Sequence, residues 1–132
     1  MRYPFVIATL IFVCGCVSPP VETGRFKVEK PERDLAKEIF ALAKKCWAKE
    51  FGFFSGDGIV VENRVELDGV VITARRSAPD LGAQEPFMRV TVSEGAGGAD
   101  VQMEEGDYAL ASKKNFSADV SRWIQGDQTC SK

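Results

Sequence analysis

The fold class is decided by residues 59–76, which read IVVENRVELDGVVITARR. Apolar and polar residues alternate on both sides of Asp68-Gly69, as they do in strands that bury one face. An Asp-Gly pair between two such runs is a strong signal for the two-residue loop of a β-hairpin. That loop predicts three cross-strand pairs: Leu67 opposite Val70, Val65 opposite Ile72, and Glu62 opposite Arg75.

Two more strands are predicted after this hairpin. Residues 87–93 alternate in the same way, and residues 101–105 form a weaker fourth run. The glycine-rich stretch 95–98 between them predicts a turn rather than a phosphate-binding loop, because no Lys-Ser/Thr pair follows it and no helix pattern begins there.

Helical patterns flank the four strands. Pro31 opens a predicted helix that runs to about residue 51, because proline is favoured at a first helical position. A second helix is predicted at residues 116–125. Each helix has an apolar stripe at spacings of three and four, formed by Leu35, Ile39, Leu42 and Cys46 in the first and by Phe116, Val120, Trp123 and Ile124 in the second.

This order predicts an α+β, two-layer domain, because a sheet with one apolar face needs a cover that amphipathic helices supply. We expect a four-stranded antiparallel sheet covered by an N-terminal and a C-terminal helix, in the order α-β-β-β-β-α.

The N-terminus has the pattern of a secretory signal. An apolar run follows Arg2 and ends in Val13-Cys14-Gly15-Cys16, which resembles the lipobox of bacterial lipoproteins. The resemblance implies cleavage before Cys16, a diacylglycerol on its sulfur, and anchoring in a membrane. Because Val17 rather than Asp follows, it implies the periplasmic face of the outer membrane. The alternatives are an ordinary cleaved signal that happens to contain cysteine, or a metal-binding or redox pair of Cys14 and Cys16.

The domain prediction follows from this signal. Residues 1–15 are the signal peptide and residues 16–30 are the lipidated cysteine with an extended tether, about 40 Å long if fully stretched. Residues 31–132 form a single globular domain, a size that needs no metal to stabilise its core.

Two cysteines remain once the signal and the lipidated residue are set aside. In an oxidising compartment Cys46 and Cys130 are predicted to form a disulfide. It would close a loop of about 85 residues and stabilise the fold by roughly 4–5 kcal/mol in the chain-entropy model. The alternative is a buried free Cys46 and an exposed free Cys130.

Composition argues against several functions. The chain has 17 basic and 19 acidic residues and a net charge of −2, which offers no electrostatic footprint for nucleic acid. It contains no histidine, which excludes Ser-His and Cys-His nucleophile pairs and histidine-containing zinc sites. We therefore predict a protein that is not an enzyme, with no cofactor and no metal site.

One aromatic cluster is a candidate surface for a partner or ligand. It comprises Trp47, Phe51, Phe53 and Phe54, beside glycines after the first helix. These rings either form a binding lip or close the end of the core. The leading hypothesis is a non-catalytic envelope lipoprotein that contacts an envelope protein. The alternative is a binder of a small ligand or cell-wall fragment in a pocket between sheet and helices.

Overall fold

A computed structural model describes residues 21–50, 58–77, 86–106 and 115–131. The chain order is β1 (Val21–Val28), α1 (Glu32–Trp47), β2 (Ile59–Glu66), β3 (Gly69–Arg76), β4 (Met88–Gly95), β5 (Gly98–Glu105) and α2 (Phe116–Ile124). The strands form one antiparallel sheet in the order β1-β5-β4-β3-β2. The predicted α+β class with two helices is confirmed.

The sheet has five strands, so the prediction of four is wrong. The additional strand, β1, lies in the stretch that was assigned to the tether. It pairs with β5 and contains a register shift between Glu22 and Gly24. The half-buried side chains of Phe26 and Val28 pack against the core. The sequence predicts a spacer here because Ser18-Pro19-Pro20 is stiff and extended and the residues after it show little periodicity.

The β2–β3 hairpin forms, but its register differs from the predicted one by two residues. Glu66 is paired with Gly69 and Val65 with Val70, so the two loop residues are Leu67 and Asp68. Gly69 is the first residue of β3, with a φ of 143°. A Cβ at this position would lie 2.2 Å from the carbonyl oxygen of Val92 in β4. Glycine is therefore required where β4 passes close to β3, and the loop itself does not contain it.

Pro31 precedes the first residue of α1 as its N-cap and does not occupy the first helical position, and α1 ends earlier than predicted. The N–H of Leu35 bonds to the carbonyl of Pro31 at 3.0 Å. The Asn115 side chain accepts a bond from the N–H of Ala118 at 3.1 Å and caps α2. Helix α1 stops at Trp47 rather than near residue 51, and Lys49 pairs with Ile59 in extended conformation.

Both helices pack on one face of the sheet, and α1 crosses four of its strands. Three aromatic rings lie at the centre of this layer. Trp47 makes an edge contact with Phe116 at 4.9 Å between ring centroids and a tilted contact with Trp123 at 5.0 Å. The core between the two layers is closed around these rings, which are at most 3% exposed.

Candidate interaction surfaces

A buried carboxylate joins both helices to the C-terminal tail. The Asp119 side chain is fully buried on α2. It accepts hydrogen bonds from Trp47 Nε1 at 2.9 Å and from the N–H and Oγ of Ser131, each at 2.9 Å. It also forms an ion pair with Arg122 one turn away. Four donors satisfy the charge, so Asp119 serves as a structural link rather than as an exposed catalytic acid.

The tail is held by further bonds from α1 and α2. Trp123 Nε1 donates to the carbonyl of Thr129 at 3.1 Å. The N–H and hydroxyl of Thr129 donate to Asp127 Oδ1 at 3.0 and 2.8 Å, and these two bonds hold the pKa of the Asp127 carboxyl below its usual range. Gln128 reaches Glu38 of α1 at 3.4 Å. Residues 127–131 therefore form an ordered strap across the helices.

The structure pairs Cys46 with Cys130, as the sequence predicted. Their sulfur atoms lie at bonding distance, 2.02 Å, and their Cα atoms are 5.3 Å apart. Cys46 is buried on α1 and Cys130 is exposed in the strap. The Cys46–Cys130 pair and the hydrogen bonds from Ser131 to Asp119 both hold the strap, residues 127–131, against the helices.

The aromatic cluster is not an exposed surface at Trp47. This residue has no exposed area, and its ring and its Nε1 both contact the core. Its assignment to a partner or ligand surface is therefore wrong, because the apolar stripe of α1 continues to its last residue. Phe51, Phe53 and Phe54 lie outside the described residues, as does Cys16.

The second face of the sheet is covered by neither described helix. It is polar, and one row of cross-strand neighbours runs Arg25, Gln102, Thr91, Val71 and Arg64 from β1 to β2. We call this the open face and define it by the outward residues of the five strands. Only Val71 among these five is buried, at 8% exposure, and its cross-strand neighbours are Thr91 and Arg64.

Charges of both signs alternate on the open face. Arg75 Nη2 lies 2.8 Å from Glu62 Oε1, and Arg89 lies 3.8 Å from Glu104. The hydrogen bond from Arg75 is the main cause of a lowered pKa at the Glu62 carboxyl. Ion pairs this exposed stabilise the fold by only about 0.2–1 kcal/mol each. Because the open face carries charges of both signs, a large partner with charges opposite to them could pair with it at several points.

Two cavities are shallow and charged. One of about 290 Å³ lies on the open face between Arg25, Lys27 and Asp100. A wider one of about 790 Å³ lies between the start of α1 and the β4–β5 turn. Its walls combine four acidic and two basic residues with glycines: Glu29, Lys30, Pro31, Glu32, Arg33, Asp34, Glu94, Gly95, Gly97 and Gly98. Small-molecule sites are usually lined by apolar groups with few polar ones, so neither cavity has the character of such a site.

The edge of β2 is the third surface. Glu62 to Leu67 are exposed one after another, and Val65 and Leu67 retain 81% and 105% of their area. Across the described residues, no group of three or more acidic or cysteine side chains is placed to hold a metal ion.

Comparisons of the chain with models of known families, with characterised proteins and with solved structures found no match. In the part of the chain that the structure describes, no helix is long and apolar enough to cross a bilayer. The function must therefore be argued from the surfaces and the N-terminal pattern.

Proposed function

We propose that this protein is a lipoprotein of the bacterial envelope, anchored through lipid on Cys16 at the periplasmic face of the outer membrane, whose domain binds another protein and catalyses no reaction. The observation that carries the binding role is the open face, a five-stranded polar surface with charges of both signs. Protein interfaces of ordinary size are flat and about as polar as the rest of a surface, and this face meets that description.

The anchor is supported by the lipobox-like residues 13–16 and by the cysteine pair. Cys46 and Cys130 lie at bonding distance, which fits a compartment that oxidises thiols. Two or more acyl chains on one residue would hold the protein stably, because each buried CH₂ contributes about 0.8 kcal/mol.

The early start of β1 shortens the expected tether. Val21 is the first residue of the sheet, five positions after Cys16. Five residues reach at most roughly 18 Å when fully extended. An anchored domain would therefore stay close to the bilayer surface, and its partner would be another component at that surface.

The second candidate function, binding of a small ligand or cell-wall fragment, would use the 790 Å³ cavity beside the start of α1, whose charged lining suits a polar fragment and not an apolar small molecule. The pocket expected for it, between sheet and helices, would be lined by Phe53, Trp47 or Trp123. The two tryptophan rings are buried against each other, and Phe53 lies outside the described residues. Titration of the protein with soluble cell-wall fragments, followed by amide shifts around Arg33 and Gly97, tests this candidate.

Site-specific photocrosslinking tests the binding role. A photoreactive residue at Thr91 or Gln102 would lie at the centre of the open face, and the same residue at Lys37 would lie on the exposed side of α1. We expect one discrete protein adduct from the two open-face positions and none from Lys37. Equal adducts from all three positions, or none from any, would remove the support for this face.

The anchor has its own test. We expect mass analysis of protein made in a lipoprotein-processing bacterium to show a chain that starts at a diacylglyceryl Cys16. The Cys16→Ser variant should leave the membrane fraction. A mature chain with an unmodified Cys16 would contradict the proposed location and would leave the binding role of the open face standing.

A further inference from the structure

We propose that the free edge of β2 pairs with the same edge of a second copy of this chain, in antiparallel orientation, with Asn63 opposite Asn63. This inference does not depend on the anchor or on the open-face partner. It rests on the direction of the backbone groups of β2 and on the order of charges along it.

The Lys49–Ile59 bridge shows which backbone N–H and carbonyl groups of β2 point outward, away from β3. The N–H and carbonyl of Ile59 both bond to Lys49, at 2.9 and 3.0 Å. The carbonyl of the preceding Gly58 bonds in the opposite direction, to Ser77 after β3. Backbone groups alternate in direction along a strand, so those of Val61, Asn63 and Val65 point outward at the edge of the sheet.

These outward groups are available for pairing. Within the described residues, the backbone bonds to this edge come from Lys49 alone, and they end at Ile59. Val61, Asn63 and Val65 therefore present about six backbone donors and acceptors, one of each per residue. Proteins usually protect such an edge with proline, charged side chains or a bulge. Strand β2 contains no proline and no bulge, and its charged residues, Glu62, Arg64 and Glu66, alternate in sign.

The charges on β2 select one pairing partner and one register. With Asn63 opposite Asn63, each Glu62 faces Arg64 of the other copy. These two residues then form a non-hydrogen-bonded pair, in which Cα atoms are only about 4.5 Å apart and opposite charges attract. A shift of one copy by two residues places Glu62 against Glu62 or Arg64 against Arg64. A shift by four residues toward the loop pairs Arg64 with Glu66, but it places Glu62 against Asp68 of the other copy. The sequence of β2 is thus complementary to itself in the central register.

The same register covers exposed apolar area. Val65, at 81% exposure, comes opposite Val61 of the other copy, whose side chain already belongs to the core. The pairing ends where Lys49 occupies the edge at one side and where the Leu67-Asp68 loop begins at the other. The contact joins two five-stranded sheets into one of ten strands.

Disulfide trapping on the full chain tests the pairing. Residues opposite each other in a hydrogen-bonded pair have Cα atoms about 5.5 Å apart, within the range that a disulfide spans. We expect Asn63→Cys to give a covalent dimer on mild oxidation at micromolar concentration, seen by non-reducing electrophoresis. The parent chain sets the background from its own cysteines, and Lys37→Cys, an exposed position on α1, is the matched control.

Charge variants then test the register. In the Asn63→Cys background, Arg64→Glu alone and Glu62→Arg alone should each reduce the dimer yield at least fivefold, because each places like charges opposite one another. A mixture of the two variants, distinguished by tags, should restore the dimer as a heterodimer, since both cross-strand pairs are then opposite in charge. Glu66→Lys should leave the yield unchanged, because Glu66 faces Val60 in this register.

Each outcome decides the matter. Loss in both single variants with recovery in the mixture supports the pairing, and melting curves show that each variant remains folded. Equal trapping at Lys37→Cys, no dimer from Asn63→Cys, or yields that ignore the charge at positions 62 and 64 would overturn it. Loss of the dimer in Glu66→Lys would overturn the proposed register. It would indicate a register shifted toward the loop, in which Glu66 faces Arg64 of the other copy.

Discussion

Replacement of Asp119 by alanine tests the account of the core most directly. The variant removes the acceptor of Trp47 Nε1 and leaves that buried donor unpaired, at a cost of about 1–3 kcal/mol. It also leaves Arg122 without its ion pair. This side chain is 33% exposed, and its buried Nε has no acceptor among the described residues. Breaking a buried pair costs about 3–5 kcal/mol. Because water reaches Arg122, we expect the lower part of that range, roughly 3–4 kcal/mol.

Urea unfolding and thermal unfolding of the chain beginning at Val17, both followed by tryptophan fluorescence, measure this loss. A domain of this size commonly has about 5–15 kcal/mol of stability, so we expect Asp119→Ala to fold with a midpoint lowered by roughly 10–15 °C on heating. The matched control is Arg75→Ala, which breaks the exposed pair with Glu62. That change should cost only about 0.2–1 kcal/mol.

A double-mutant cycle separates the bond from the packing. Trp47→Phe removes the Nε1 donor, and in combination with Asp119→Ala, which removes its acceptor, it should reveal a coupling of about 0.5–3 kcal/mol. A loss below about 1 kcal/mol in Asp119→Ala, or strictly additive effects in the cycle, would refute the reasoning that this carboxylate ties α1, α2 and the tail together.

Three further outcomes follow from the same structure. A thiol count on denatured, unreduced protein should find Cys46 and Cys130 blocked, and Cys46→Ser should lower stability by about 2–5 kcal/mol. Gly69→Ala should destabilise the fold by at least about 1–3 kcal/mol in urea unfolding, because a Cβ there meets a carbonyl of β4 at 2.2 Å and φ is 143°. Arg75 lowers the pKa of Glu62, so the small contribution of the Glu62 carboxylate to the free energy of unfolding is present above the unfolded pKa and is lost as pH falls through the folded pKa. Glu62→Gln should therefore make stability slightly less dependent on pH below pH 4.5 in acid unfolding. Unchanged curves would contradict this pairing.

The sequence predicted what depends on local periodicity. The alternation in residues 59–76 and the stripes of the two helices were enough for the α+β class, because both patterns reflect burial on one face. The pairing of Cys46 with Cys130 followed from counting cysteines after the signal was set aside. The observed 5.3 Å between their Cα atoms agrees with that count.

The predictions of the hairpin register and of the number of strands were wrong for the same physical reason: both features depend on contacts between segments that are distant in the sequence. Gly69 was read as a loop residue, but it is glycine because the β4 backbone passes beside it. Strand β1 was missed because its alternation is short and its partner, β5, lies more than 70 residues later in the chain. A register and an edge strand are decided by such neighbours rather than by local propensity.

The Asp119 link was also missed, although the sequence contains a signal for it. Phe116, Val120 and Trp123 form the buried stripe of α2, and Asp119 lies on the same side at i+3 from Phe116. An acidic residue within an apolar stripe implies a buried donor nearby. Trp47, which adjoins the stripe of α1, is such a donor, although the sequence also makes it a candidate for a partner or ligand surface.

The two proposals together constrain how the protein would lie on a membrane. Antiparallel pairing at β2 relates the copies by a two-fold axis perpendicular to the sheet, so their β1 strands begin at opposite ends of the ten-stranded sheet. Tethers of at most roughly 18 Å then reach one bilayer from both copies only if the sheet lies parallel to it.

Fluorophores at Asp68 and Arg76 are separated by eight residues, or roughly 26 Å along β3, and both positions are exposed. We expect lipid-borne quenchers to affect each probe uniformly in the anchored dimer, because both copies hold it at the same height when the sheet lies flat. Two populations of different quenching for one probe would mean that the strands stand upright, which is incompatible with anchoring and pairing in the same molecule.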